Sequence, residues 1–291
     1  SAVVGTIERF HDGNQDAILE LQDLATEVVG SVDVQPDLII IPFGVAGLLP
    51  FGAARLTDGS HLVEHTTLTA ASSTALAHAR TTKHKPSGTI GFFHEGEPPL
   101  PLDQDRQNFE EIFPQDDNPA MITSNNRAGL RSSLQRGCEI LHISCHAEYD
   151  VLNPLESYLR LEDDVYLEDV LDFENNAWLV NLAACETGLP DLTRLDAGLS
   201  FASAILAAGS AHVLSTLWPV DNRAAVAYSG ILYSAIKNGS AVATAHRQAV
   251  LALARYSVRW ESDPKSSDLG HPIFWAGFVH HGAPPPAQQE A

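Results

Sequence analysis

Apolar positions recur with two different periods along this chain, and the change from one to the other predicts its elements. Ile18, Leu21, Ala25 and Val28 follow a helical repeat, so residues 13–29 are expected to form an amphipathic helix. Asp37–Pro42 holds an unbroken run of Leu38, Ile39, Ile40 and Ile41, the pattern of a buried strand. His61–Leu68 and Gly88–His94 read as further strands. The Pro-rich acidic stretch EGEPPLPLDQD, residues 95–105, reads as a loop and a boundary between two halves. A helix is expected over 106–113, a short strand over 120–124, and a helix over 126–136 closed by Gly137.

The second half alternates more clearly. CEILHISCH (138–146), AWLVNLAAC (177–185), AHVLSTLW (211–218) and IFWAGFVHH (273–281) read as strands. Between them fall a hairpin over 158–166, a short helix over 167–172, a small-residue helix over 197–208 ending at Gly209, and helices near 222–237 and 240–256. Continuous apolar strands separated by helices predict a mostly parallel central sheet with helices on both faces, a three-layer α/β sandwich. The tail over 283–291 has nothing to pack against and is expected to be disordered.

Composition narrows the function. The chain has 291 residues, 37 acidic and 17 basic, for a net charge of −20. Such a surface disfavours nucleic acid and anionic membranes. No apolar run approaches the ~18 residues of a membrane span, and no secretory leader is visible. Three cysteines, Cys138, Cys145 and Cys185, are too few for a disulfide framework and suit a reducing, cytoplasmic setting. There is no phosphate-binding glycine loop, and a metal site from Cys145, His146 and Cys185, open on residue type, has no C-x-x-C or H-x-x-x-H spacing to support it.

Sites in open α/β sheets form at the carboxyl ends of strands. Two strands here end in reactive residues, one at His146 and one at Cys185. Side chains alternate along a strand, so Cys145 and His146 are expected on opposite faces, which makes Cys145 a poor partner for the imidazole. Cys185 is a better one if a crossover through 150–176 sets the two strands side by side. An imidazole in reach of a thiol makes a nucleophile, and nearby backbone amides can hold an oxyanion. Spacing alone leaves the structural reading of both residues open, since a lone Cys or His at a strand end is commonly core.

The segments HISCHA, NLAACETG, FASAILAAGSAHVLSTLWPVDN and PIFWAGFVHHG, in this order, resemble the CHAT family of caspase-like cysteine peptidase domains, often attached to tetratricopeptide repeats. DLIIIPFGVAGLLPFGAA resembles the family's opening strand. The resemblance spans about residues 37–282. It implies a caspase-hemoglobinase fold, with separase as a relative, and a cysteine endopeptidase that needs no metal or cofactor, in which residues 1–119 form a pseudo-protease-like supporting half and 120–282 the catalytic half, a division that the loop at 95–105 fits. Cys185 becomes the nucleophile, His146 the general base or ion-pair partner, and the backbone amides of Ala147 and Cys185 the oxyanion donors. It also implies a protein substrate and control by a regulatory repeat domain or activating partner, and this chain is expected to be a piece of such a system.

Two positions depart from the family pattern. The glycine after the histidine is Ala147, and the second acid of the Leu-Trp-x-Val-Asp-Asp stretch is Asn222. These departures motivate an alternative, a caspase-like binding or signalling module without turnover. A third reading is a thiol-dependent acyl hydrolase or transferase on small molecules. Asp221 and Trp218 are candidates for the pocket of the residue before the scissile bond; Asp221 also fits as a helix cap, which is preferred, and Trp218 as core. Glu186 is expected to hold a loop, Glu148 and Asp150 to be solvated, His142 to be buried and hydrogen-bonded, and His280 and His281 to lie on the surface.

Overall fold

The computed structural model describes residues 5–6, 9, 16–30, 32–71, 90–95, 102–114, 125–148, 150, 153–183, 200–255 and 270–282. The expected strand at 120–124, the tail at 283–291, Cys185 and Glu186 lie outside the described residues.

In chain order the strands are β1 (Asp37–Ile40), β2 (Thr67–Ala70), β3 (Ile90–Glu95), β4 (Ile140–Glu148), β5 (Tyr158–Arg160), β6 (Val165–Tyr166), β7 (Leu179–Leu182), β8 (His212–Thr216) and β9 (Phe278–Gly282). The helices are α1 (Ala17–Val29), α2 (Leu102–Ile112), α3 (Arg127–Arg136), α4 (Leu167–Leu171), α5 (Phe201–Ala208), α6 (Asn222–Lys237) and α7 (Val242–Arg255). The sheet order is β1-β2-β9-β8-β7-β4, with β3 pairing along β4 and the β5–β6 hairpin joined to the end of β4. Pairs β1–β2, β2–β9, β3–β4, β4–β7 and β7–β8 are parallel, and β8–β9 is antiparallel. The strands of the first and second halves therefore share one sheet, joined at β3–β4 and β2–β9.

Alternation along the strands separates two cores. Ile140, Leu179 and Leu214 pack with α1, α2, α6 and α7 residues such as Leu21, Phe109, Tyr233 and Val250. Leu141, Ile143, Val180, Leu182 and Val213 pack with Leu130 and Leu134 of α3, Val170 of α4 and Ile205 of α5. Helices on both faces of a mostly parallel sheet give the three-layer sandwich that the sequence pattern predicts.

Turn chemistry fixes several ends. Asn126 caps α3 by accepting from the Gly129 N–H, and Gly137 ends it in the left-handed region at φ 79°. Ser200 caps α5 by accepting from the Ser203 N–H. Gly209 closes α5 at φ +132°, where an added Cβ would lie 2.3 Å from the Asn175 carbonyl oxygen.

Several expectations need correction. The buried stripe of α1 uses Gln22 and Val29, whereas Val28 is 53% exposed. β1 is an edge strand covered on one face only, which leaves Ile39 and Ile41 exposed. Residues 61–64 turn as a 3-10 helix, Leu62–Glu64, before β2 begins at Thr67, because the Glu64 side chain accepts from the His61 N–H. α2 starts at Leu102, inside the stretch read as loop. Pro272–Phe274 forms a 3-10 turn, and the last strand begins only at Phe278.

Candidate active site

β4 is the longest strand, and its partners change along it. Residues 140–145 pair with β3, residues 140–143 with β7, and residues 146–148 with β5. His146 is the first residue past the β3 ladder, with Arg160 as its cross-strand partner. Its side chain is exposed, while Cys145 is 4% exposed among the α3–α5 core. The two neighbours therefore face opposite sides, as alternation requires.

Ala147 pairs with Leu159 within the β4–β5 ladder. Its backbone is extended, a conformation alanine adopts without strain, so the loss of glycine there carries no backbone cost. Glu148 accepts a hydrogen bond from the Tyr158 hydroxyl, which holds that proton and raises the phenol's pKa. Arg160 donates to the same hydroxyl at 3.1 Å. Together His146, Ala147, Glu148, Tyr158 and Arg160 line an open depression at the end of β4. Glu148 is thus tied to the hairpin, and the Asp150 carboxylate accepts from the Asn153 N–H in the following loop.

A buried polar network lies two pleat repeats before His146, on the same face of β4. His142 is fully buried, with Nε2 3.0 Å from Asp105 Oδ2 and Nδ1 2.6 Å from the Tyr233 hydroxyl. Asn181 of β7 donates to the Tyr233 hydroxyl at 2.8 Å. The network joins α2, β4, β7 and α6 at the two strands that lead to His146 and Cys185. The sequence pattern points to a buried His142 but not to its partners, because the prolines before Asp105 make that stretch read as loop.

Asp221 is the N-cap of α6: its Oδ1 accepts from the Arg223 N–H at 2.9 Å. The Arg223 guanidinium also grips both carboxylate oxygens, Nε to Oδ1 and Nη2 to Oδ2, each at 3.0 Å. Burial works to raise this carboxyl's pKa, and the Arg223 contacts outweigh it and hold it low. Trp218 is 3% exposed, lies against Gly277, and donates its indole N–H to the Ile273 carbonyl. Both candidates for substrate recognition have structural engagements here. Asn222 is simply the first residue of α6.

His280 and His281 are not surface residues. His280 is 2% exposed and His281 half-buried, because the last strand is paired on both sides, with β8 and β2. Cys138 is fully buried, and burial pushes its thiol up to about 11. Among the described residues no group of three or more His, Cys, Asp or Glu side chains is arranged to hold a metal ion.

The CHAT domain family matches residues 15–283. This chain belongs to that family. Among solved structures, the CHAT chain is similar to the Arg-specific cysteine proteinase gingipain R, at 12% identity and a TM-score of 0.61, covering 93% of this chain and 68% of that one. A complex of the Porphyromonas gingivalis RgpB pro- and mature domains gives 11% identity and a TM-score of 0.57, covering 93% and 69%. The Saccharomyces cerevisiae separase–securin complex gives 15% identity and a TM-score of 0.54, covering 81% of this chain and 14% of that one. Curated proteins give no match. The fold is therefore the caspase-like α/β fold that gingipain and separase share.

Proposed function

We propose that this CHAT domain is a cysteine endopeptidase with Cys185 as nucleophile and His146 as its acid–base partner. The observation that carries this reading is the register of β4 and β7. Ile140 pairs with Leu179 and Ile143 with Leu182, partners 39 positions apart in sequence. His146 and Cys185 are separated by the same 39 positions, each three residues beyond the last rung. Side chains of paired residues share a face in extended backbone, and His146 and Cys185 have the parity of the facing pair His142 and Asn181.

In the proposed reaction, the Cys185 thiol passes its proton to His146, and the thiolate attacks the scissile carbonyl carbon. The oxyanion forms against the backbone amides of Ala147 and Cys185. As the C–N bond breaks, His146 gives its proton to the leaving amine. Water, deprotonated by His146, then cleaves the thioester and frees the thiol. The exposure of His146 and the open depression beside it support access for a protein substrate. An imidazole can both accept and give a proton, as the two transfers require.

Residues 1–119 serve as the supporting half and 120–282 as the catalytic half. A regulatory repeat domain or activating partner and a reducing, cytoplasmic setting complete the proposal. Recognition of a basic side chain by Asp221 would require Arg223 to release the carboxylate it now binds. The test is cleavage of a denatured-protein peptide library by the wild type, Cys185→Ala, His146→Ala and Cys145→Ala. Cleavage lost in the first two variants and kept in the third is expected. Full cleavage by Cys185→Ala would end the proposal.

A further inference from the structure

A cavity lies where β2 separates from β9. These strands are paired only at Ala70 and His281, whereas the β8–β9 ladder runs from His212–Gly282 to Thr216–Phe278. Residues of α7 and of the loop near Leu49 line the gap. It offers about 70 Å³ to water centres, several times the ~10–15 Å³ that one water needs. Its walls include Leu49, Leu68, Val250 and Trp275. Trp275 spends its indole N–H on the Gly270 carbonyl. The remaining polar side chains on this face are the Thr69 hydroxyl and the His246 and His280 imidazoles; His281 also borders the cavity, but its ring lies on the Val213 and Ser215 side of the sheet.

These rings are hydrogen-bonded, and among the described residues no carboxylate pairs with them. His280 has Nδ1 3.1 Å from Thr69 Oγ1 and Nε2 3.0 Å from His212 Nδ1. His246 Nδ1 lies 2.7 Å from the Tyr228 hydroxyl, and His281 Nε2 lies 2.8 Å from Ser215 Oγ. A proton added to His280 would leave both of its N–H groups with acceptors, the Thr69 oxygen and the His212 nitrogen. The chain carries 37 acidic residues. Among the described residues, though, the histidine–carboxylate contacts are His61–Glu64 and His142–Asp105, and none involves His212, His246, His280 or His281. The charged neighbour on α7, Arg247, is turned to the Val63 and Glu64 carbonyls. From α6 the titratable group is Tyr228, and from β8 it is His212. A small anion with an apolar body would fit both the apolar walls and the imidazoles.

We propose that the cavity binds a small apolar carboxylic acid, its hydrocarbon part among Leu49, Leu68, Val250 and Trp275 and its carboxylate hydrogen-bonded to His246, with the His280 ring, whose nitrogens are held by Thr69 and His212, beside it. One proton enters from solvent with the carboxylate, forming an imidazolium–carboxylate pair. Without the ligand, burial keeps these rings neutral, pushing His246 down to about 3 and His281 to about 4; neighbouring imidazoles add to burial at His280, against the pull of the Leu68 carbonyl. Binding therefore tightens as pH falls. An alcohol of the same size brings no counter-charge, and an amine brings the wrong one.

The probe is hexanoate on the full chain, with hexanol and hexylamine as size-matched comparators, near pH 7.5 and near pH 5.5. The readouts are thermal shift and histidine-ring NMR. Hexanoate is expected to raise Tm, to shift the His246 and His280 ring signals, and to bind up to about tenfold tighter per unit fall in pH. The two comparators are expected to bind at least about tenfold more weakly. Val250→Trp fills the cavity and should abolish the response. Should that variant fail to fold, His246→Gln decides, by retaining the fold and losing most of the pH dependence. Equal binding of hexanol, pH-independent binding, or no hexanoate response at about 10 mM would overturn the proposal.

Discussion

Cys145 and His146 adjoin in sequence and occupy opposite environments, the thiol 4% exposed in the α3–α5 core and the imidazole open to solvent at the end of β4. Strand alternation alone creates this contrast. It also makes the cysteines distinguishable. Iodoacetamide near pH 8 is expected to leave Cys138 and Cys145 unlabelled in the native protein and to label both in urea. Cys145→Ala should keep peptidase activity while costing about 1 kcal/mol of stability. Native labelling of Cys145 as fast as in urea would contradict its assignment to the core.

Tyr233 is the hub of the network beneath the site, since His142 and Asn181 both reach its hydroxyl. Tyr233→Phe keeps the ring and removes the hydroxyl, leaving buried polar atoms short of a partner. The expected loss is about 1–3 kcal/mol in urea unfolding. An unchanged midpoint would show that the network contributes nothing net.

Gly209 ends α5 at a backbone angle that favours glycine and faces the Asn175 carbonyl at close range. The Asn175 side chain also donates to Ile205 O and Ser210 Oγ, so the opposing segment is held in place. Gly209→Ala is expected to lower stability by about 1–3 kcal/mol. Gly59 and Gly239 also have positive φ but face open space, so alanine there should cost less, from the angle alone.

Acid should weaken the fold before most carboxylates titrate. Burial depresses His212 to about 4, His246 to about 3 and His281 to about 4, and pushes His280 well below the usual range. The unfolded values lie near ~6.5. Between these limits the unfolded chain binds more protons than the folded one, so stability rises with pH. The contribution is complete above about pH 6.5 and is lost as pH falls towards about 4, by up to about 1.4 kcal/mol per pH unit for each histidine. Urea midpoints measured at intervals from about pH 7.5 to pH 5 should fall steeply, and a flat series would contradict the burial of these rings.

The sequence made the strand–helix alternation legible because strands covered on both faces, such as β7, most of β8 and residues 140–143 of β4, are largely apolar runs. It also foretold the opposed faces of Cys145 and His146, the cap at Asp221 and the burial of His142. Edges were harder: Ile39 and Ile41 look like core residues, yet strand order leaves their face uncovered. His280 and His281 looked like a terminal polar pair, because pairing with β2 depends on contacts about 210 residues apart, such as Thr69 with His280. The start of α2 was hidden by the prolines before it. The assignment of Cys185 as partner of His146 rests on resemblance and strand logic, and the β4–β7 register supports it.

The most direct test of the dyad needs no substrate. Native protein is alkylated with limiting iodoacetamide across about pH 5–9, each cysteine is read by peptide mass, and the series is repeated in His146→Ala. The account predicts that Cys185 reacts fastest, with an apparent pKa well below the ~8.5 of an ordinary thiol, and that loss of His146 raises it. A Cys185 that titrates as an ordinary thiol and does not respond to His146→Ala would contradict the account.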